Sequence, residues 1–312
     1  MDRMWKGVFP ALTTKFKEDL SLDVKAMEKH FAWQVESGVD GLIVCGSLGE
    51  NSVLTVDEKV EVMRIALRVA ARRLPVLMTI AEGSTAEGAA LAQRAAKEGA
   101  NGLMVLPGMR YVSDRRETLA HYRAIARSSA LPVMVYNNPV SYGVDVTPEM
   151  FAELADEKTI VSIKESSDNV RRVTDIINRV GERYAIFCGV DDLAMEAMLM
   201  GAVGWVAGLV DAFPAETVAI YRLLQEGRIE EARAIYRWFA PLLHLDVSRK
   251  LVQNIKLVEA IVGVGTETVR PPRMPLVGEE REAVVAMTRR ALETRPKLPS
   301  LRSARKGEGA LA

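Results

Sequence analysis

The chain of 312 residues has two cysteines, three histidines and no excess of charge of either sign. Each scarcity excludes something. Cys45 and Cys188 stand far apart without metal-ligand spacing, which excludes a disulfide framework and fits a reducing compartment. His30, His121 and His244 form no paired ligand motif. Lys plus Arg number 41, as do Asp plus Glu, so no field recruits nucleic acid or an anionic surface. No apolar run approaches membrane-spanning length. Residues 1–10 lack an apolar h-region, so no signal peptide is expected. The expectation is a cytoplasmic protein with a small-molecule substrate and no nucleic-acid or membrane partner.

About half of the residues are apolar, enough for one large core. Short apolar runs alternate with longer amphipathic ones. Strands are predicted at residues 7–13, 41–45, 75–80, 102–106, 132–137, 160–165, 185–188 and 204–208. Helices are predicted between them at 24–37, 55–71, 84–98, 114–128, 147–155, 170–181 and 191–200. Asp23, Thr55 and Thr147 are the expected caps, and Thr55 with Glu58 reads as a capping box. Eight βα units in series predict an α/β fold, a (β/α)8 TIM barrel. An open doubly wound sheet is the runner-up, but residues 10–16 are no Gly-rich phosphate loop. Further helices are predicted at 215–226, 230–245, 248–262 and 279–294. The first completes the eighth unit and the others form a C-terminal helical bundle. The expected division is a barrel at 1–226, a helical region at 227–295 and a disordered tail at 296–312, rich in Pro, Ser, Arg and Gly.

A barrel enzyme places its site at the C-terminal ends of its strands. Strand six carries Ile163-Lys164-Glu165. By alternation Ser162 and Lys164 share one face and Val161 and Ile163 the other. If the Lys164 face is the interior, desolvation favours the neutral, nucleophilic amine. The plainer reading is a lysine that snorkels to solvent at its strand end. Strand two ends in Gly46-Ser47-Leu48-Gly49-Glu50, either an ordinary turn or a nest of N–H groups suited to a carboxylate. Strand five ends in Tyr136-Asn137-Asn138-Pro139, where the phenol either packs or shuttles protons. Strand seven ends in Cys188-Gly189-Val190-Asp191-Asp192, with Asp191 read as a helix cap, and Cys45 reads as a small buried hydrophobe.

This constellation resembles the dihydrodipicolinate synthase / N-acetylneuraminate lyase family of Schiff-base barrel enzymes. The resemblance rests on Gly46-Ser47-Leu48-Gly49-Glu50, Tyr136-Asn137-Asn138-Pro139 and Ile163-Lys164-Glu165, and it extends to about Thr294. It implies that Lys164 is the Schiff-base lysine for a 2-oxo acid and Tyr136 the general acid/base. It implies that Ser47 binds the substrate carboxylate with the Leu48 backbone, and that Gly46 and Gly189 line the substrate site. It implies no cofactor and no metal, and a homotetramer built as a dimer of dimers.

The sequence departs from the synthase pattern at three strand ends. Leu48 stands where the synthases carry the second threonine of Gly-Thr-Thr-Gly-Glu. Pro107-Gly108-Met109 replaces Pro-Tyr-Tyr, removing the relay tyrosine at Met109 and leaving Tyr111 as a partial substitute. Ser141 occupies the position of the synthase arginine that grips a second carboxylate. The stretches 136–146 (YNNPVSYGVDV), 164–172 (KESSDNVRR) and 241–253 (PLLHLDVSRKLVQ) resemble deaminase-like catabolic members acting on pyrroline-4-hydroxy-2-carboxylate. The expected reaction is therefore dehydrative deamination to 2-oxoglutarate semialdehyde. Alternatives are a 2-oxo-3-deoxy sugar acid dehydratase, a pyruvate-dependent aldolase or synthase, and a silent ligand-binding barrel. A metal-assisted aldolase lacks evident inward ligands.

Overall fold

A computed structural model describes residues 5–108 and 110–301. Met109 and the last part of the expected disordered tail lie outside the described residues. The strands are β1 (Gly7–Pro10), β2 (Leu42–Val44), β3 (Val76–Ile80), β4 (Gly102–Val105), β5 (Val133–Asn137), β6 (Ile160–Glu165), β7 (Ala185–Cys188) and β8 (Gly204–Ala207). All pair in parallel, in the order β1-β8-β7-β6-β5-β4-β3-β2. A bridge from Ala11 to Ile43, with the Leu12 N–H donating to the Ile43 carbonyl, ties the two ends together. The result is the predicted (β/α)8 barrel.

The helices are α1 (Val24–Glu36), α2 (Val56–Ala70), α3 (Thr85–Lys97), α4 (Arg115–Ser128), α5 (Pro139–Tyr142), α6 (Pro148–Glu153), α7 (Arg171–Val180), α8 (Ala194–Leu199), α9 (Pro214–Gln225), α10 (Ile229–Leu243), α11 (Leu251–Val262) and α12 (Gly278–Glu293). Capping explains several starts. The Asp23 carboxylate accepts from the Ala26 N–H, and Thr55 and Glu58 form the expected box. Thr147 stands at its cap position without a side-chain bond to the helix amides; Pro148 at the first turn removes one donor there. Asp191 does not cap. Its carboxylate accepts from Trp205 Nε1 at 2.8 Å and from the N–H groups of Gly208 and Leu209. The chain folds its acid inward because three donors at the end of β8 would otherwise be buried unpaired.

One irregularity matters for the site. The register of β5 against β6 shifts between Val133 and Met134, so that Val161 is passed over. A bulge of this kind re-aims the side chains beyond it. Tyr136 thereby becomes the direct neighbour of Lys164. Beyond the barrel, α10 and α12 pack together and α11 packs on α12. Where disorder is expected from Pro296, residues 296–301 lie against the protein: the Ser300 carbonyl accepts from Arg228 and Leu298 packs on the core. Among the described residues no helix is long and apolar enough to cross a membrane.

Candidate active site

A cavity of about 260 Å³ opens at the C-terminal ends of the strands. Lys164, Tyr136, Gly46, Ser47, Leu48 and Gly189 all line it. Lys164 is 6% exposed and its Nζ lies 4.1 Å above the Tyr136 ring. No described carboxylate lies within ion-pair distance of it. Burial lowers the Lys164 pKa. Glycine at 189 is required by close approach: a Cβ there would stand 2.4 Å from Lys164 Cε and 2.2 Å from Ser166 Oγ.

Tyr136 accepts a hydrogen bond from Asn138 Nδ2 at 3.2 Å. Burial pushes its phenol up to about 12, so the resting group is protonated. Across the cavity, the N–H groups of Ser47 and Leu48 donate to no described backbone or side-chain acceptor. The loop is held from below, where the buried Glu50 adopts a left-handed conformation (φ 59°). Its carboxylate accepts from Lys256 Nζ at 2.6 Å and from the Arg270 N–H at 3.0 Å. The C-terminal region thus fixes the loop that the first half of the chain supplies.

The structure adds residues that sequence reasoning missed. The short helix α5 brings Tyr142 over the cavity, where its hydroxyl hydrogen-bonds Ser47 Oγ and its ring meets Tyr136 edge-on at 5.8 Å. Tyr111, two residues beyond Met109 and at most a partial substitute for the relay tyrosine, is 63% exposed and does not line the cavity. Its loop turns outward, whereas Asn138 caps α5 and turns Tyr142 inward. The pattern Asn-Pro at the start of YNNPVSYG is a helix-start signal that would have found α5. From the C-terminal region Asp246 and Arg273 also reach the cavity; no local pattern announces them.

The metal reading changes in detail. His30, Asp211 and Glu259 do come together, with ligand atoms within 4.8 Å of one another. They lie outside the cavity, and Lys15 Nζ sits 2.6 Å from Glu259. An ammonium already fills the place a cation would take. Burial also holds His30 down to about 4, which leaves it neutral. Both thiols are buried and pushed up to about 12, so neither is a nucleophile at neutral pH.

Known proteins align with this arrangement over nearly its whole length. The profile of the Dihydrodipicolinate synthetase family matches residues 4–291. A 4-hydroxy-tetrahydrodipicolinate synthase of Geotalea uraniireducens is 30% identical over 91% of this chain and 98% of its own. One from Persephonella marina is 35% identical over 75% of this chain and 80% of its own. Among solved structures, YagE of E. coli K12, a prophage protein of the same family in complex with pyruvate, superposes with a TM-score of 0.87 at 26% identity. That match covers 93% of this chain and 99% of YagE. A monomeric dihydrodipicolinate synthase variant superposes with a TM-score of 0.86 at 27% identity, over 93% and 97% of the two chains. With the barrel, the buried lysine and the extent of these matches in hand, the chain belongs to the dihydrodipicolinate synthetase family.

Proposed function

We propose that the protein is a lysine Schiff-base lyase that removes water and ammonia from 1-pyrroline-4-hydroxy-2-carboxylate. The observation that carries the Schiff-base part is Lys164: a buried amine, without a carboxylate in ion-pair contact, at the wall of a small cavity. A silent binding barrel has no use for it. In this reading the free N–H groups of Ser47 and Leu48 and the Ser47 hydroxyl hold the C1 carboxylate. Lys164 adds to C2. Tyr136 protonates the ring nitrogen as the C2–N bond breaks, then takes a proton from C3 to give the enamine. Loss of the C4 hydroxyl as water follows. Hydrolysis of the terminal imine and of the lysine imine consumes two waters and releases ammonia and 2-oxoglutarate semialdehyde, a net uptake of one water.

The finer assignment is supported by Leu48 and Ser141. Neither suits the synthase's second, charged substrate. YagE's complex with pyruvate makes 2-oxo acids the first ligands to try. A second reading is favoured by Arg273, a half-buried guanidinium on the cavity with no described side-chain partner. It suits a longer acid with a second anionic group, such as a 2-oxo-3-deoxy sugar acid, and then the reaction is dehydration. The test is borohydride trapping with peptide mapping, against pyruvate, 2-oxoglutarate, a 2-oxo-3-deoxy sugar acid and the pyrroline, alongside an ammonia assay. The expected result is an adduct on Lys164 and ammonia from the pyrroline. No adduct with any ligand would overturn the Schiff-base reading; an adduct and water loss without ammonia would select the dehydratase.

The proposed assembly is a homotetramer. Two exposed apolar pairs support it, Tyr111 with Val112 after β4 and Leu199 with Met200 at the end of α8. Sedimentation showing a monomer would remove it.

A further inference from the structure

Two acids flank Lys164, and the reaction above uses only one. Tyr136 stands on the β5 side. On the other side, beyond the ends of β7 and β8, stands Asp246, from the loop after α10. Its place is built into the barrel. A Cβ on Gly208, the residue after β8, would come within 2.4 Å of Asp246 Oδ1, so only glycine leaves room for the carboxyl there. Gly189 does the same for the Lys164 stem after β7. Asp246 lies within the stretch PLLHLDVSRKLVQ, to which the chemistry so far gives no task.

An acid on the far side of the amine is what elimination needs. Hydroxide is a poor leaving group, and an enamine expels it readily only when the oxygen is protonated as the bond breaks. With C1 held at the β2 end and C2 on Lys164, Tyr136 serves C3 from one flank and leaves C4 to the other. We propose that Asp246 is the catalytic acid that protonates the departing C4 hydroxyl, an inference that rests on the lyase reading above. As the C4–O bond breaks, the enamine pair returns to form a conjugated iminium and Asp246 gives its proton to the oxygen, which leaves as water. The carboxylate then takes a proton from C5, which restores the acid and leaves a dienamine. Tyr136 returns its proton to C3, the terminal enamine moves an N–H proton to C4 to become the terminal imine, and hydrolysis of the lysine iminium gives Tyr136 its proton back. Burial and the neighbouring Asp191 both hold the Asp246 carboxyl well above the usual carboxylate range, which favours the protonated form this step needs; Lys164 acts in the opposite sense.

The experiment compares wild type with Asp246→Asn in four readouts. They are borohydride trapping of the pyrroline, hydrogen exchange at C3 of pyruvate in D2O, water loss from the pyrroline and a 2-oxo-3-deoxy sugar acid, and chloride release from 4-chloro-2-oxopentanoate. The variant should trap and exchange as wild type does, which also shows that it is folded. Water loss should fall by ~10²–10⁴. Chloride needs no proton, so its release should stay within severalfold of wild type. Gly208→Ala, which crowds the same carboxyl, should repeat the pattern. Undiminished water loss in D246N would overturn the assignment. So would loss of trapping and exchange together with water loss, which would make Asp246 a residue that positions Lys164. Wild type that traps a ligand yet eliminates water from neither substrate would instead overturn the lyase reading, and this inference with it.

Discussion

Among the described residues four lysines are buried: Lys15, Lys59, Lys164 and Lys256. Three of them face a carboxylate. Lys15 meets Glu259 at 2.6 Å, Lys59 meets Glu82 at 2.5 Å and Lys256 meets Glu50 at 2.6 Å. The fourth, Lys164, faces an aromatic ring and an open cavity. The difference separates two uses of one side chain. A buried charge is tolerated when a partner and hydrogen bonds replace its water. Lys256 has both, since it also donates to the Thr268 carbonyl at 2.6 Å and lies over the Phe16 ring. Its amine is engaged and it holds the loop of Ser47 in place through Glu50. Lys164 lacks a carboxylate, so burial acts on it with less opposition and leaves an amine free to add to a carbonyl carbon.

The sharpest way to break this comparison is to remove each lysine in turn. Lys164→Met should abolish turnover and the trapped adduct while leaving the fold intact, because no described carboxylate is in ion-pair contact with it. Retained turnover would end the Schiff-base reading. Tyr136→Phe should lose ~10²–10⁴ in rate with little change in Tm; an unchanged rate would reassign the phenol to packing. Lys256→Met leaves the buried Glu50 carboxylate without its counter-ion, held only by the Arg270 N–H. It should cost about 3–5 kcal/mol in urea unfolding, with the adduct on Lys164 still formed by the folded fraction. Equal stabilities of the two methionine variants would erase the distinction drawn here.

Smaller effects sharpen it further. Tyr142→Phe removes one neutral hydrogen bond to Ser47, which is worth about 1 kcal/mol, so KM should rise about fivefold. A larger fall in kcat than in affinity would place Tyr142 in proton transfer instead. The last effect is on stability against pH. Burial lowers the Lys164 pKa below 10.5, so between that depressed value and 10.5 the unfolded chain binds a proton that the folded chain does not. Stability should therefore rise with pH across that window, and Lys164→Met should flatten the rise. Unfolding curves at several pH values measure the slope.

Much of this was legible before any coordinates. Alternating periods gave eight βα units, and the capping signals at Asp23 and Thr55 fixed helix starts to within a residue or two. The motif residues Ser47, Tyr136 and Lys164 each sit at a strand end, where a barrel must place a site. What was misjudged was non-local. Asp191 looked like a cap because Asp before a helix usually is one, yet the donors that claim it come from Trp205, Gly208 and Leu209. Tyr111 offered a partial substitute hydroxyl only by its nearness to Met109 in sequence, and it is Tyr142, unassigned in the sequence, that stands beside Ser47.

The sequence by itself determined the barrel and the strand ends that carry the site, since both follow from periodicity and turn signals within a few tens of residues. Only the tertiary structure decided which buried lysine, among the described residues, is left without a carboxylate in ion-pair contact. That depends on carboxylates brought from far along the chain: Glu259 lies 244 residues from Lys15 and Glu50 lies 206 from Lys256. It likewise decided that Asp246 faces the cavity, because a loop beyond the barrel is placed by the packing of the C-terminal helices and by the space Gly208 leaves, neither of which a local pattern records.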